Sequence, residues 1–242
     1  MADKVTEGFF RVRDSVEAAA RRSGRDPKQI TIIGVTKTLP AELVVKGYDA
    51  GLRHFGENRF QGTPEKMAVV KSLIGGEAAD AVEWHFIGQL QTNKVRAVLE
   101  NFSLVHSLDR EKLIDKIDRI AAELGIIARG LLQVNVSGAD SQGGLELEEV
   151  AKVAEFASSK ENLRIEGLMA IGPITEDEAQ LHQAFAQVRN LSEDLAQMKL
   201  PGVSMAVLSM GMSSDYEIAV EEGATHIRVG TAIFGPRQTL RG

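Results

Sequence analysis

The chain contains no cysteine. That excludes disulfides, thiolate metal ligands and a cysteine nucleophile, and it fits a reducing, cytoplasmic setting. There is no surplus of basic residues either. The 28 Lys and Arg are outnumbered by 34 Asp and Glu, a net charge of −6, which argues against a broad footprint for nucleic acid or anionic lipid. No long apolar run opens the chain. Met1 to Arg25 carries acids and bases throughout and reads as neither a signal peptide nor a membrane span. Low-complexity tracts, sequence repeats and domain boundaries are also missing, and Gly75-Gly76-Glu77 reads as a loop. What remains is 242 residues, 43% of them hydrophobic, enough to bury a core without staples.

The pattern within that length is alternation. Val5, Phe9, Val12 and Val16 recur at helical spacing, predicting an N-terminal amphipathic helix stopped near Ser23-Gly24. Strand-like runs follow at Ile30–Thr36, His54–Gly56, Trp84–Gly88, Leu104–Ser107, Leu131–Val136, Ile165–Ile171, Ser204–Ser209 and His226–Phe234. Between them lie helix-like stretches near Ala41–Ala50, Arg59–Leu73, Lys94–Glu100, Glu111–Leu124, Leu147–Ser159, Glu176–Met198 and Ser214–Glu222. Strand–helix alternation predicts a parallel sheet. Eight such strands favour a single α/β domain spanning 1–242, a closed (β/α)8 TIM barrel, over an open doubly wound sheet. A closed barrel covers its own sheet edges, so a monomer is expected.

Chemistry in such barrels sits at the C-terminal strand ends. The first run ends in Thr36-Lys37. Lys37 is either simply solvated or an amine held at the barrel mouth, where desolvation would free it for a Schiff base. Asn58 follows the second run and, taken alone, reads as a helix N-cap. His85 alternates with apolar neighbours in the third, and a packing role explains it and Asn93 as well as a pocket role does. The seventh run leaves through Ser209-Met210-Gly211-Met212-Ser213, a turn that offers backbone N–H groups to a phosphate or simply caps a helix. In the eighth, Arg228 needs an acceptor, and Gly230 and Thr231 would let an anion approach. Barrels frequently bind phosphate after strands seven and eight. A lysine, an arginine and a phosphate cradle together suit an aldehyde-bearing phosphate cofactor, with pyridoxal 5′-phosphate (PLP) the obvious candidate. No tight His/Asp/Glu cluster is visible at the strand ends, so no metal site is expected.

Several segments together carry a family resemblance. They are Val35-Thr36-Lys37-Thr38, His54-Phe55-Gly56-Glu57-Asn58, the run from Trp84-His85-Phe86-Ile87-Gly88 to Asn93-Lys94, Gly167-Leu168-Met169, Leu208-Ser209-Met210-Gly211-Met212-Ser213 and Ile227-Arg228-Val229-Gly230-Thr231. In their order and number the chain resembles the pyridoxal phosphate homeostasis proteins, relatives of the barrel domain of alanine racemase. The resemblance implies a PLP-binding barrel in which Lys37 forms the Schiff base and Asn58 lines the pocket. By the same likeness Ser209, Ser213, Gly230 and Thr231 surround the phosphate, Met212 contributes its backbone, and Arg228 sits near the pyridine nitrogen.

An arginine there disfavours protonation of the ring and makes it a poorer electron sink. Racemisation also needs an acid–base group on the opposite face, which alanine racemase-like enzymes take from a tyrosine of a second domain. Only seven residues follow Gly235 here, and Tyr48 and Tyr216 fall in helix-like stretches. The expected function is therefore intracellular PLP (vitamin B6) homeostasis, holding and carrying or buffering the cofactor, with PLP-dependent apoenzymes as partners. The alternatives are a low-activity amino-acid racemase and a PLP-independent phosphate-binding barrel. Leu39 and Gln142 stand where relatives commonly carry lysines, and Arg237 and Arg241 lie near the C-terminus, where basic residues are common in the family. Those changes leave the main site intact and count against an accessory PLP site or a lysine relay.

Overall fold

A computed structural model describes residues 3–136 and 143–236. Positions 142, 237 and 241, singled out above, lie outside the described residues. The chain opens with α1 (Lys4–Arg22), whose first N–H groups are capped by the Asp3 carboxylate at 3.0 and 2.9 Å. Val5, Phe9, Val12 and Val16 are buried along one face of α1, which packs against α2, α9 and α10.

Eight parallel strands follow: β1 (Thr31–Val35), β2 (His54–Glu57), β3 (Glu83–Phe86), β4 (Leu104–Leu108), β5 (Ala128–Val134), β6 (Leu163–Ala170), β7 (Val203–Ser209) and β8 (His226–Val229). Each pairs with the next, and β8 pairs with β1 through Thr31↔His226 and Ile33↔Arg228, which closes the barrel. The helices are α2 (Ala41–Ala50), α3 (Thr63–Ile74), α4 (Gly76–Asp80), α5 (Val95–Leu99), α6 (Glu111–Leu124), α7 (Leu147–Ser158), α8 (Glu178–Gln197), α9 (Tyr216–Glu221) and α10 (Thr231–Phe234). The expected (β/α)8 barrel is present. In α6 the buried set Leu113, Ile114, Ile117, Ile120 and Ala121 recurs at helical spacing, which lets one stripe face the sheet.

Three local expectations need correction. The segment at Gly76 is not a loop but the short helix α4. Strand eight stops at Val229 rather than Phe234. The apolar Thr231–Phe234 run forms α10 instead, because a short apolar run satisfies a buried helix turn as well as a strand. Strand five begins earlier, at Ala128, with Arg129 inside it. Arg129 is tolerated there because Glu166 of β6 takes its guanidinium at 2.6 and 2.9 Å.

Two layers of packing result. Outward-facing Phe55, Phe86, Val105, Leu132 and Ile227 join the helices in the main core. Inside the barrel, Leu104, Leu131, Met169 and Val207 form a small separate apolar cluster. Much of the remaining interior is polar.

Candidate functional site

At the C-terminal strand ends lies a cavity of about 750 Å³, in the size range of small-molecule sites. Lys37, Asn58, Met212, Ser213, Arg228, Gly230 and Thr231 line it, so the structure brings these predicted site residues to one place. Ser209, His85 and Asn93 are not on its wall. Asn93 is exposed and lines a separate groove beside α6.

A buried clamp holds the β1 and β2 ends together. The Thr36 hydroxyl donates to Glu57 Oε1 at 2.7 Å, and Lys66 Nζ, from α3, donates to the same oxygen at 2.7 Å and to the Thr36 carbonyl at 2.9 Å. Thr36 and Glu57 immediately precede Lys37 and Asn58, so the clamp fixes where those two enter the cavity. The turn after Lys37 is strained. Thr38 sits at φ 65°, a region that β-branched residues avoid and that, in native folds, clusters at functional sites. Gly88, on the neighbouring wall, is required by close approach. A Cβ there would lie 2.0 Å from the Asn58 carbonyl oxygen.

The opposite wall is two turns tied into one. The Ser213 hydroxyl, after β7, accepts from the backbone N–H of Gly230 at 3.1 Å and of Ala232 at 3.4 Å, after β8. The Met212 N–H donates to the Asp215 carboxylate. Burial raises the pKa of that carboxyl, against the lowering effects of the Met212 bond and nearby Arg228.

Arg228 lies between the walls, almost fully buried. Its Nη1 donates to the Ser209 carbonyl and hydroxyl, both at 2.7 Å, and its Nη2 to the Ala170 carbonyl at 2.9 Å. Ser209 thus sits beneath the arginine instead of at the cavity surface. Burial brings the Arg228 pKa down to about 10, so the group remains a cation at neutral pH.

Beneath Ser209 a file of imidazoles descends through the barrel. His106 Nδ1 is 3.0 Å from Ser209 Oγ, His85 Nδ1 is 3.0 Å from His106 Nε2, and His54 Nδ1 is 3.1 Å from His85 Nε2. Burial, reinforced by neighbouring positive groups, drives His85 and His106 well below the ordinary histidine pKa. Burial also lowers His54 and takes His226 to about 4, so all four are neutral at physiological pH. The sequence shows no metal cluster, but at this floor His54, Glu83 and His85 converge, their donor atoms within 4.8 Å of one another.

Sequence reasoning missed Gln133 and Asp109 on the cavity wall and His106 in the file. The available signal was alternation. Gln133 shares a face with Leu131, and His106 with Leu104, inside otherwise apolar strands.

Without any bound group, the donor set already describes a ligand. A primary amine and a buried guanidinium face one cavity whose far wall is a pair of fused turns. At Gly230 the atoms nearest an added Cβ would be those of Val35, no closer than 3.5 Å, so packing alone does not demand glycine there, and close approach of a ligand explains it better. These residues fit an anionic group carrying a carbonyl.

Comparison with known proteins agrees. Residues 12–238 match the family model of the alanine racemase N-terminal domain. The pyridoxal phosphate homeostasis protein of Pseudomonas aeruginosa is 40% identical over 96% of both chains. That of Aquifex aeolicus is 38% identical over 96% of this chain and 98% of its own. The solved structure of PipY from Synechococcus elongatus, with PLP bound, superposes with a TM-score of 0.78 at 38% identity, covering 91% of this chain and all of PipY. Alanine racemase of Clostridium difficile shares the fold at 13% identity, TM-score 0.70, over 60% of its length. The chain belongs to the pyridoxal phosphate homeostasis protein family.

Proposed function

We propose that this protein binds PLP at the barrel mouth and holds it in store for PLP-dependent apoenzymes, without dedicated turnover of a substrate. The observation that carries the reading is the meeting of Lys37, Arg228 and the fused β7–β8 turns on one cavity. PLP supplies an aldehyde that condenses with a primary amine, and a phosphate. Lys37 is the amine placed for the first. Ser213, Gly230 and Thr231 are assigned to the second and Asn58 to the cofactor's flank, while Met212, its N–H given to Asp215, shapes the wall between them. Ser209 acts on the cofactor through Arg228, whose guanidinium it positions.

Arg228 also argues for holding over turnover. A permanent cation against a pyridine nitrogen keeps a proton off that atom. The two tyrosines are committed elsewhere. Tyr48 lies under the Arg53 guanidinium at 4.0 Å, and Tyr216 is buried in α9.

The test is spectroscopic and covalent. Protein incubated with PLP is expected to show the absorption of a lysine-bound pyridoxal. Borohydride followed by peptide mass spectrometry is expected to find the label on Lys37. Lys37→Ala should lose both signals, and undiminished trapping in that variant would sink the assignment.

A further inference from the structure

We propose that the floor of the barrel, at the end opposite the cavity, is a binding site for one divalent transition-metal ion of the zinc class, held by His54, Glu83 and His85. The site is separate from the PLP reading and uses none of its residues.

The donors are of the right kind and number. Two imidazole nitrogens and a carboxylate are a common three-ligand zinc set, with water completing the tetrahedron. Bonds of about 2.0–2.2 Å in that geometry place ligand atoms roughly 3.3 Å apart. His54 Nδ1 and His85 Nε2 are already 3.1 Å apart, and Glu83 Oε2 is 4.0 Å from His54 Nδ1. The Glu83 side chain is 47% exposed, so it is free to close the remaining gap. The nearby cation does not occupy it, because Arg129 forms its two-bond pair with Glu166.

The inner ligand is braced from behind. With a metal on Nε2, His85 carries its proton on Nδ1, 3.0 Å from His106 Nε2. An outer partner of this kind orients a ligating histidine and strengthens it as a donor. The His54 side chain is 29% exposed, which gives the ion a way in from solvent. The place in the fold also suggests the role. The N-terminal face of such barrels serves stability rather than chemistry.

The experiment is calorimetric titration of chelator-treated full-length protein with zinc chloride, with cobalt(II) replacing zinc to report geometry. Wild type is expected to bind one ion per chain, to give the strong visible bands of four-coordinate cobalt, and to melt at higher temperature with zinc. His54→Ala and the milder Glu83→Gln should each weaken binding tenfold or more. His182→Ala, which alters the separate histidine–carboxylate group with Glu221 and Glu222, should leave it unchanged. The assignment is overturned if wild type takes up no zinc, if both floor variants bind as wild type does, or if His182→Ala abolishes binding.

Discussion

The two ends of this barrel are built on different principles. At the mouth, Lys37 and Asn58 stand just after their strands with an anchoring residue next to each in sequence, Thr36 before Lys37 and Glu57 before Asn58, while Arg228 reaches the cavity from within β8. At the floor, the polar groups are early strand residues, His54, Glu83 and His226, and His54 meets Glu83 because β2 and β3 pair with these two in register. The mouth carries the buried cation of Arg228. The floor carries imidazoles kept neutral by burial. The contrast teaches that one barrel can separate ligand binding from a titratable interior, with a single hydrogen-bonded file joining them.

The largest effect is expected from breaking the clamp at the mouth. Lys66→Met would leave the buried Glu57 carboxylate without its cation, a loss of about 3–5 kcal/mol. Adding Glu57→Gln should restore much of it, and urea unfolding of the single and double variants measures both. A neutral Lys66→Met would mean that the mouth is not held by this pair.

The floor is expected to fail in acid instead. His226 has a folded pKa of about 4 against an ordinary 6.5, so the unfolded chain binds more protons between those values. Stability from this group is present above pH 6.5 and is lost as pH falls toward 4, by roughly 3 kcal/mol. His54, His85 and His106 shift the same way and steepen the loss. Urea midpoints at pH 7.5, 6, 5 and 4 read this directly, and a flat profile would contradict neutral burial of the histidines.

The smallest effect concerns the link between the ends. Ser209→Ala removes a hydroxyl partner from both His106 and Arg228, while the Ser209 carbonyl still holds the arginine. A loss of about 1–3 kcal/mol is expected, with PLP affinity reduced and covalent trapping at Lys37 retained. Loss of trapping would show that the hydroxyl has a role at the cavity itself.

This contrast also governs what was legible in the sequence. Lys37, Asn58, Ser213 and Gly230 could be read because a polar residue or glycine directly following an apolar run marks a strand end in a barrel. The bounds of α2 and α6 were legible from strong periodicity between clear stops. His54, His85, His106 and Ser209 were not, since successive members of the file are 31, 21 and 103 positions apart. Their contacts depend on the register between strands and, for His106 and Ser209, on β4 facing β7 across the barrel, which local pattern does not encode. Ser209 was therefore placed with its sequence neighbours on the phosphate wall, when its hydroxyl turns inward to Arg228. Arg129 hid the start of β5 for a related reason, because its partner Glu166 lies on another strand.

The imidazole file also has a polarity. A neutral imidazole carries one N–H. Ser209 Oγ accepts from Arg228 and keeps a second lone pair besides its own hydrogen, so it can meet His106 Nδ1 as donor or as acceptor. When the hydroxyl donates, His106 donates from Nε2 to His85 and His85 from Nε2 to His54, every bond pointing from mouth to floor. No ring can reverse alone without setting two N–H groups or two lone pairs face to face. A cation on His85 Nε2 would impose the opposite direction on the whole file, up to the hydroxyl beneath Arg228. The core of the barrel thus behaves as a two-state arrow, set at one end and felt at the other.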